Sequence, residues 1–232
     1  MSRQRTAVLI SGRGSNLGAL LAAAADPGYP AEIALVLSNR AGAAGLDRAR
    51  AAGVPAVVVE SRSWGDNRYG FEQAMEAVLG RHGISLIALA GFLRVLTPGF
   101  VARWEGRMIN IHPSLLPAFP GLHTHERALE AGVRLHGATA HLVSAGVDQG
   151  PIVAQAAVPV WPGDTPATLA ARVLEQEHRI FPAALAWLAA GRISVTGGRA
   201  EVSGAAAAPA VLMNPLPTPP LPATAALPKP PV

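Results

Sequence analysis

The length and composition of the chain bound its class before any motif is considered. Its 232 residues are half apolar, enough for one large α/β domain or two small ones, and the absence of cysteine excludes disulfides and thiol-bound metals. The net charge of +4 is modest and no basic cluster is interleaved with aromatic residues, so we expect anionic small-molecule ligands and no nucleic acid. No apolar run approaches the roughly 18 residues of a membrane span, and we expect a cytoplasmic location.

The first half of the chain alternates between short apolar runs and helical patterns. The apolar runs predict buried strands at residues 6–10, 33–39, 56–60, 86–91 and 108–112. The helical patterns lie between them, at residues 16–25, 45–53 and 67–81. Strands that alternate with helices are typical of a doubly wound, mainly parallel sheet, so we predict an α/β fold.

The pattern changes after Gly121. A helix is predicted at 125–132, followed by two strand-like runs at 137–143 and 151–160 that we expect to form an antiparallel addition to the sheet. A long helix from about 166 to 190 ends the body of the domain, which we place at residues 1–202. Residues 203–232 are rich in alanine and proline, and we expect them to be a disordered tail outside the fold.

The sequence "SGRGSN" at residues 11–16 separates the first predicted strand from its helix. Glycines permit a tight turn there, and the exposed N–H groups of a helix start suit a phosphate. A dinucleotide site is disfavoured because Leu17 occupies the third glycine position and no acidic residue ends the second strand. The sequence therefore predicts a site for a single phosphate group, with a plain tight turn as the alternative.

Asn110 and His112 lie two residues apart on the fifth predicted strand, so their side chains point to the same face. Pro113 and the prolines that follow stiffen the backbone beyond them. An amide can donate to a carbonyl oxygen that gains charge, and an imidazole can move a proton near neutral pH. This pair predicts a catalytic site, whereas the alternative is a hydrogen-bonded histidine at a strand end.

Asp148, in "VDQGPI", is the expected partner of His112. A carboxylate beside an imidazole favours the charged ring and raises its pKa. The alternative is an aspartate that caps its own turn. The other histidines show neither the H-E-x-x-H spacing nor a cysteine partner, so we expect no metal site.

These motifs occur in an order that resembles one family. The stretches "VLISGRGSNL", "ALAGFLRVLTP", "NIHPSLLPAFPGLHTHERALEAG", "HGATAHLV" and "VDQGPIVAQAAVPV" make residues 5–195 similar to the folate-dependent phosphoribosylglycinamide formyltransferases. The resemblance implies a Rossmann-like formyltransferase fold, with a phosphate-binding half at about 5–105 and a folate and catalytic half at about 106–195. It also implies that 10-formyltetrahydrofolate donates a formyl group to the glycyl amine of phosphoribosylglycinamide, in a monomer or weak homodimer.

The resemblance assigns roles to individual residues. The implied catalytic set is Asn110, His112 and Asp148. The implied ribonucleotide contacts are Gly14, Ser15, Asn16 and Glu177. The implied folate contacts are Arg68, Leu93, Arg94, Val95, Leu96, Asn110, Val143 and Asp148. A cis peptide bond is implied between Leu116 and Pro117, and no metal is implied.

Three alternatives remain beside this interpretation. A formyltetrahydrofolate deformylase uses a similar set of residues with water as nucleophile, but it carries an N-terminal regulatory domain that we do not expect here, because the first strand begins by Thr6. A methionyl-tRNA formyltransferase needs a further C-terminal domain, which the Pro/Ala-rich segment cannot supply. A non-catalytic nucleotide-binding module is disfavoured by the intact trio.

Overall fold

A seven-stranded sheet forms the centre of the computed structural model, which describes residues 3–206 and residue 214. Its strands are β1 Gln4–Ile10, β2 Ala31–Ser38, β3 Ala56–Val58, β4 Leu86–Leu89, β5 Met108–His112, β6 Leu135–Leu142 and β7 Ile152–Pro159. Their order is β3-β2-β1-β4-β5-β6-β7, parallel from β3 to β5 and antiparallel at β6 and β7. The predicted doubly wound sheet with an antiparallel addition is therefore confirmed.

Helices cover both faces of this sheet. They are α1 Ser15–Ala24, α2 Gly45–Ala51, α3 Arg68–Arg81, α4 Pro98–Arg103, α5 Thr124–Glu130 and α6 Pro166–Ala189. Val8 and Ile10 of β1 pack in one core with residues of α1, α2 and α6, whereas Ala7 and Leu9 pack in a second core with residues of α3 and α4. Because both faces of β1 are buried, the strand appears in the sequence as a continuous apolar run.

The order of the strands creates a crevice at one edge of the sheet. The chain leaves β1 towards β2 and later returns to the other side of β1 with β4. The loops that follow β1 and β4 therefore diverge, and ligands of doubly wound sheets bind at this point. The topology thus places the two predicted ligand loops at adjacent carboxyl ends of strands.

Two features of the fold differ from the sequence-based expectation. The body does not end with α6, because a hairpin of β8 Ile193–Thr196 and β9 Arg199–Val202 follows it. These strands are mostly exposed and only four residues long, but their alternation of apolar and polar residues and the Gly197-Gly198 turn between them were usable hairpin signals. Helix α1 begins at Ser15, one residue before the predicted start at residue 16, and Gly14 is its N-cap.

Most of the predicted tail lies outside the described residues, namely 207–213 and 215–232. Asn214 is described, and its Nδ2 donates to the carbonyl oxygens of Arg134 at 2.7 Å and Val160 at 3.0 Å. Asn214 thus contacts the body of the domain, and the expectation of a disordered tail stays a prediction. No helix in the described part of the chain is long and apolar enough to cross a membrane.

Candidate active site

A cavity of about 860 Å³ collects most of the residues that the sequence singled out. Those that line it are Asn16, Leu93, Arg94, Val95, Leu96, Asn110, His112, Val143, Asp148 and Glu177. Gly14 and Ser15 lie outside this lining, at the start of α1. Arg68 lies at a second cavity of about 330 Å³, which shares Leu93, Arg94 and Val95 with the first.

Asn110 is held by a histidine from the neighbouring strand. It pairs in register with His141 of β6, and its Nδ2 lies 3.1 Å from His141 Nε2. His141 Nδ1 lies 2.9 Å from the carbonyl oxygen of Leu142, which can only accept, so this nitrogen carries a proton. In the neutral ring Nε2 then accepts from the Asn110 amide, and the second N–H of that amide remains for a ligand.

His112 ends β5 and is 6% exposed. Its Nε2 donates to the carbonyl oxygen of Phe119 at 3.0 Å, and its Nδ1 lies 3.3 Å from Asp148 Oδ2. Burial lowers the pKa of His112 and outweighs the Phe119 carbonyl and Asp148, which both raise it. Asp148 thus acts in the expected direction, but the expectation of a raised pKa is wrong for the net shift.

Asp148 reaches across the site rather than capping its own turn. Its φ is 54°, and its Oδ2 accepts from the backbone N–H of Gly121 at 2.8 Å. Its Oδ1 lies 3.7 Å from His141 Nε2, so the carboxylate faces the imidazoles of both His112 and His141. Burial raises the pKa of Asp148, but these neighbours outweigh it and leave the pKa below its ordinary value. The carboxylate is therefore ionised at neutral pH.

Two further histidines, His125 and His136, pack edge to face. The ring centroids of His125 and His136 are 5.3 Å apart. Burial and the nearby His125 lower the pKa of His136 to about 4, so the ring is neutral under ordinary conditions. Within residues 3–206 and 214, no group of three or more His, Asp or Glu side chains is arranged to hold a metal ion.

The glycine loop, residues 12–16, connects β1 to α1 by close backbone packing. Gly14 has φ 70°, and a Cβ placed on it would lie 2.8 Å from the Cα of Gly45. Only glycine therefore fits this position without a shift of α2. The first amides of α1 are free of helical partners, which makes the loop suitable for an anion.

Asn16 and Glu177 meet at the base of the same loop. Asn16 Nδ2 donates to Glu177 Oε2 at 2.6 Å, and both residues are buried. Burial raises the pKa of Glu177, whereas the Asn16 hydrogen bond lowers it. The contact joins α1 to α6 across 161 residues and brings together two residues that the sequence placed in one ligand site.

The β4–α4 loop, residues 90–97, forms the opposite wall. Leu93 and Val95 expose more than half of their surface to the cavity side, which is unusual for apolar residues of this size. Arg68, the first residue of α3, donates from Nη2 to the carbonyl oxygen of Val95 at 2.6 Å. The loop therefore offers an apolar surface with a guanidinium beside it.

Sequence reasoning left two contributors to this site without a role. His141 could not be assigned a role from the sequence, because its contact with Asn110 depends on the antiparallel register of β5 and β6. Arg40, which follows β2, lines the cavity as a further cation. The polar residue inside the apolar run "GATAHLV" was the one available signal for His141.

Fold and site together define a doubly wound α/β protein whose imidazole, amide and carboxylate meet at the crevice of the sheet. A family described as formyl transferase matches residues 4–185. The trifunctional purine biosynthetic protein adenosine-3 of Homo sapiens is 49% identical over 193 residues, which are 83% of this chain and 19% of that protein. The chain thus spans about a fifth of the length of this trifunctional relative.

Two single-function proteins match along nearly their whole length. The phosphoribosylglycinamide formyltransferase of Escherichia coli (strain K12) is 42% identical, with 85% of this chain and 92% of that protein covered. The crystal structure of glycinamide ribonucleotide transformylase 1 from Symbiobacterium toebii has a TM-score of 0.83 at 45% identity, with 86% and 94% covered. This chain belongs to the formyl transferase family.

A formyltetrahydrofolate deformylase from Burkholderia mallei shares the fold at lower sequence identity. Its structure matches with a TM-score of 0.78 at 29% identity, and the match covers 87% of this chain and 70% of that chain. The transferases are more similar in sequence and are covered more completely. The comparison therefore favours the formyltransferase interpretation over the deformylase alternative. In agreement with the resemblance, the Leu116–Pro117 peptide bond is cis.

Proposed function

We propose that this chain transfers the formyl group of 10-formyltetrahydrofolate to the glycyl amine of 5-phosphoribosylglycinamide in purine (IMP) biosynthesis. The observation that carries the proposal is the meeting of Asn110, His112 and Asp148 at the wall of one large cavity. Formyl transfer to an amine needs a donor for the developing oxyanion and a group that moves a proton. Membership of the formyl transferase family supports this reaction in particular.

The ribonucleotide lies along the glycine loop in this proposal. Gly14, Ser15 and Asn16 bind its phosphate, because the first turn of α1 offers free amides and the positive end of the helix dipole. Glu177 accepts from the ribose hydroxyls, since its carboxylate faces the same cavity beside Asn16. Arg40 adds a positive charge that favours an anionic ligand.

The reduced folate lies along the opposite wall. The faces of its pterin and benzoyl rings can pack on the β4–α4 loop, where Leu93 and Val95 are exposed. The contacts that we assign to the folate are made by Arg68, Leu93, Arg94, Val95, Leu96, Asn110, Val143 and Asp148. The Arg68 guanidinium suits the carboxylates of the folate tail.

The chemical step begins when the glycyl amine attacks the formyl carbon. A C–N bond forms to the amine, the carbonyl oxygen becomes an oxyanion, and the free N–H of Asn110 donates to it. His112 accepts a proton from the attacking nitrogen and passes it to N10 of the folate as the C–N10 bond breaks. The mechanism uses no metal ion and no covalent enzyme intermediate, and its main requirement is that both ligands are held in contact.

The pKa shift of His112 and its distance from Asp148 indicate when the imidazole is charged during the reaction. Burial lowers its pKa, so the resting ring is neutral and can accept a proton at neutral pH. The ionised Asp148, 3.3 Å away, then stabilises the imidazolium that forms beside the oxyanion. In the resting ring Nε2 carries the proton that it donates to the carbonyl oxygen of Phe119. The ring must therefore leave that carbonyl and carry its proton on Nδ1, facing Asp148, before Nε2 can accept a proton from a ligand.

The wider setting of the reaction is part of the same proposal. We assign the whole formyltransferase domain to residues 1–202, and both ligands are small molecules. The chain works in the cytoplasm as a monomer or weak homodimer. Sedimentation of the purified chain at assay concentration tests the oligomeric state.

One assay tests the proposed reaction against its rivals. Purified protein is mixed with 10-formyltetrahydrofolate, with and without phosphoribosylglycinamide, and both formylated ribonucleotide and free formate are measured. Transfer that depends on the ribonucleotide, with little formate in its absence, supports the proposal. Formate release at the same rate without the ribonucleotide identifies a deformylase instead, and no turnover in either mixture indicates a binding module.

A further inference from the structure

The β4–α4 loop has no regular secondary structure, so its shape must be imposed by its neighbours. It lies between Leu89, the end of β4, and Pro98, the start of α4. Leu93 is 55% exposed and Val95 is 60% exposed, so these side chains contribute little packing that could fix the loop. Yet the proposed function requires this loop to present one defined surface to the folate.

The first anchor is Ser11, which directly follows β1 and is 3% exposed. Its Oγ accepts from the backbone N–H of Leu93 at 2.7 Å and donates to Asn39 Oδ1 at 2.6 Å. Its backbone N–H donates to the carbonyl oxygen of Gly91 at 3.1 Å. Ser11 thus binds the beginning of the loop twice and fixes it against the ends of β1 and β2.

The second anchor is Glu72 of α3, which is 1% exposed. Its Oε1 accepts from the backbone N–H of Thr97 at 2.6 Å, and its Oε2 accepts a short hydrogen bond from the Thr97 hydroxyl. Thr97 is also the N-cap of α4, where its Oγ1 accepts from the N–H of Phe100. A buried carboxylate bound at both oxygens therefore fixes the end of the loop and the start of α4.

These two anchors are independent of the proposed catalytic chemistry. Neither Ser11 nor Glu72 lines the cavity, so neither touches a ligand there. Removing either side chain would leave a half-buried backbone N–H without its acceptor, at Leu93 or at Thr97. The loop would then exchange between conformations, and only some of these would present the folate surface.

We propose that Ser11 and Glu72 are positioning residues that hold the β4–α4 loop in its folate-binding conformation, an inference that rests on the proposed function. They act on one ligand only. The loop belongs to the proposed folate wall, while the glycine loop that binds the ribonucleotide keeps its own backbone packing at Gly14 and Gly45. Loss of an anchor therefore weakens folate binding selectively.

Glu72→Gln tests the second anchor, and Glu76→Gln is its matched control. Glu76 lies one turn further along α3 and also bridges to α4, but through Arg103 and Trp104, away from the loop. Glu72→Gln keeps one acceptor oxygen for Thr97 but loses the second acceptor and the charge. We expect it to raise KM for the folate about tenfold, with KM for the ribonucleotide and kcat within about twofold of wild type. Glu76→Gln should leave both KM values unchanged. Equal increases in both KM values, or equal behaviour of the two variants, overturn the proposal.

Ser11→Ala tests the first anchor against Ser85→Ala. Ser85 also bridges β1 to β4, through Gln4 and Arg5, but at the opposite edge of the sheet. The folate-specific rise in KM should appear for Ser11→Ala and not for Ser85→Ala.

If Glu72→Gln does not fold, Thr97→Val removes the same hydroxyl contact, and Thr97→Ser should restore wild-type kinetics. A Thr97→Val protein with a normal KM for the folate counts against the second anchor.

A second readout does not depend on the proposed function. Amide hydrogen exchange of the β4–α4 loop, measured without ligands, should be at least tenfold faster in Glu72→Gln than in Glu76→Gln. If wild type shows no formyl transfer, the proposed function fails while this measurement still reports on the anchors. If wild type is active and loop exchange is the same in both variants, the inference fails and the proposed function stands.

Discussion

The two walls of the cavity follow adjacent strands, but they are held by opposite means. The glycine loop after β1 is fixed by the contact of one backbone with another. Gly14 adopts a left-handed conformation against Gly45, whose N–H donates to the carbonyl oxygen of Gly12. The β4–α4 loop is instead fixed by side chains: Ser11 and Glu72 bind its backbone from outside, and its own Phe92 and Leu96 are buried in the second core.

In the proposed function, the difference follows from the ligand that each wall binds. A phosphate is bound best by backbone amides at a helix start, and side chains at the glycines would block their approach. A broad apolar ligand needs exposed apolar side chains, which cannot also pack to hold their own loop in place. Substitutions should therefore affect one ligand or the other according to the wall that they alter.

The largest effect should come from the proposed catalytic residues, where Asp148 of the loop between β6 and β7 faces His112 at the end of β5. In Asp148→Asn, kcat should fall by about 10² or more, because the imidazolium at His112 loses its neighbouring charge. Both KM values should stay within about threefold of wild type, since the amide is nearly isosteric. Steady-state kinetics with each substrate varied gives these values.

An NMR titration identifies the cause of that loss. Asp148 raises the pKa of His112 against burial, so the pKa of His112 should fall further in Asp148→Asn. A kcat near wild type together with an unchanged pKa of His112 would leave Asp148 as a structural residue.

A bulky residue in the glycine loop should have the next largest effect. Gly14→Val places a branched side chain at φ 70° and within 2.8 Å of Gly45, which displaces the start of α1. We expect KM for the ribonucleotide to rise at least about tenfold, with KM for the folate little changed. Gly18→Ala, on the same helix and without close backbone contacts, is the control. Comparable increases in both KM values would contradict the separation of the walls.

A smaller effect is expected for Arg68, on the folate side. Arg68→Met keeps the aliphatic stem but loses the hydrogen bond to Val95 and the charge beside the second cavity. KM for the folate should rise about three- to tenfold, without a change for the ribonucleotide. Arg81→Met at the far end of α3 provides the comparison. The assignment of Arg68 is lost if its variant matches the Arg81 variant.

The smallest effect on kinetics is expected at His136, which belongs to neither wall. Its pKa is about 4 in the folded protein, against an ordinary value near 6.5, so the unfolded chain binds the extra proton between these pH values. The free energy of unfolding should therefore fall by about 2–3 kcal/mol as the pH drops from about 6.5 to 4. His136→Asn should flatten this part of the pH dependence and leave both KM values unchanged. Denaturant melts at several pH values measure the slope.

Much of the fold follows from local pattern. The apolar runs of β1, β2 and β4 are buried on both faces, so they stand out in the sequence and predict a parallel sheet. The β8–β9 hairpin escaped prediction because its strands have only four residues each, so their alternation of apolar and polar residues about the Gly197-Gly198 turn is a short signal.

The sequence by itself determined which groups the site contains. Asn110 and His112 share a face because a strand has a period of two, and the glycines after β1 allow a turn at the start of a helix. These are local properties of the backbone. They do not depend on how distant segments meet.

Tertiary structure alone decided how these groups are held and charged. The Asn110–His141 contact depends on the register of β5 and β6, and Asp148 reaches His112 from 36 positions along the chain. The net pKa shift of His112 is set by burial, which depends on everything packed around the ring. A carboxylate next to an imidazole can be proposed from the sequence, but the balance between its charge and the loss of water is a property of the folded protein.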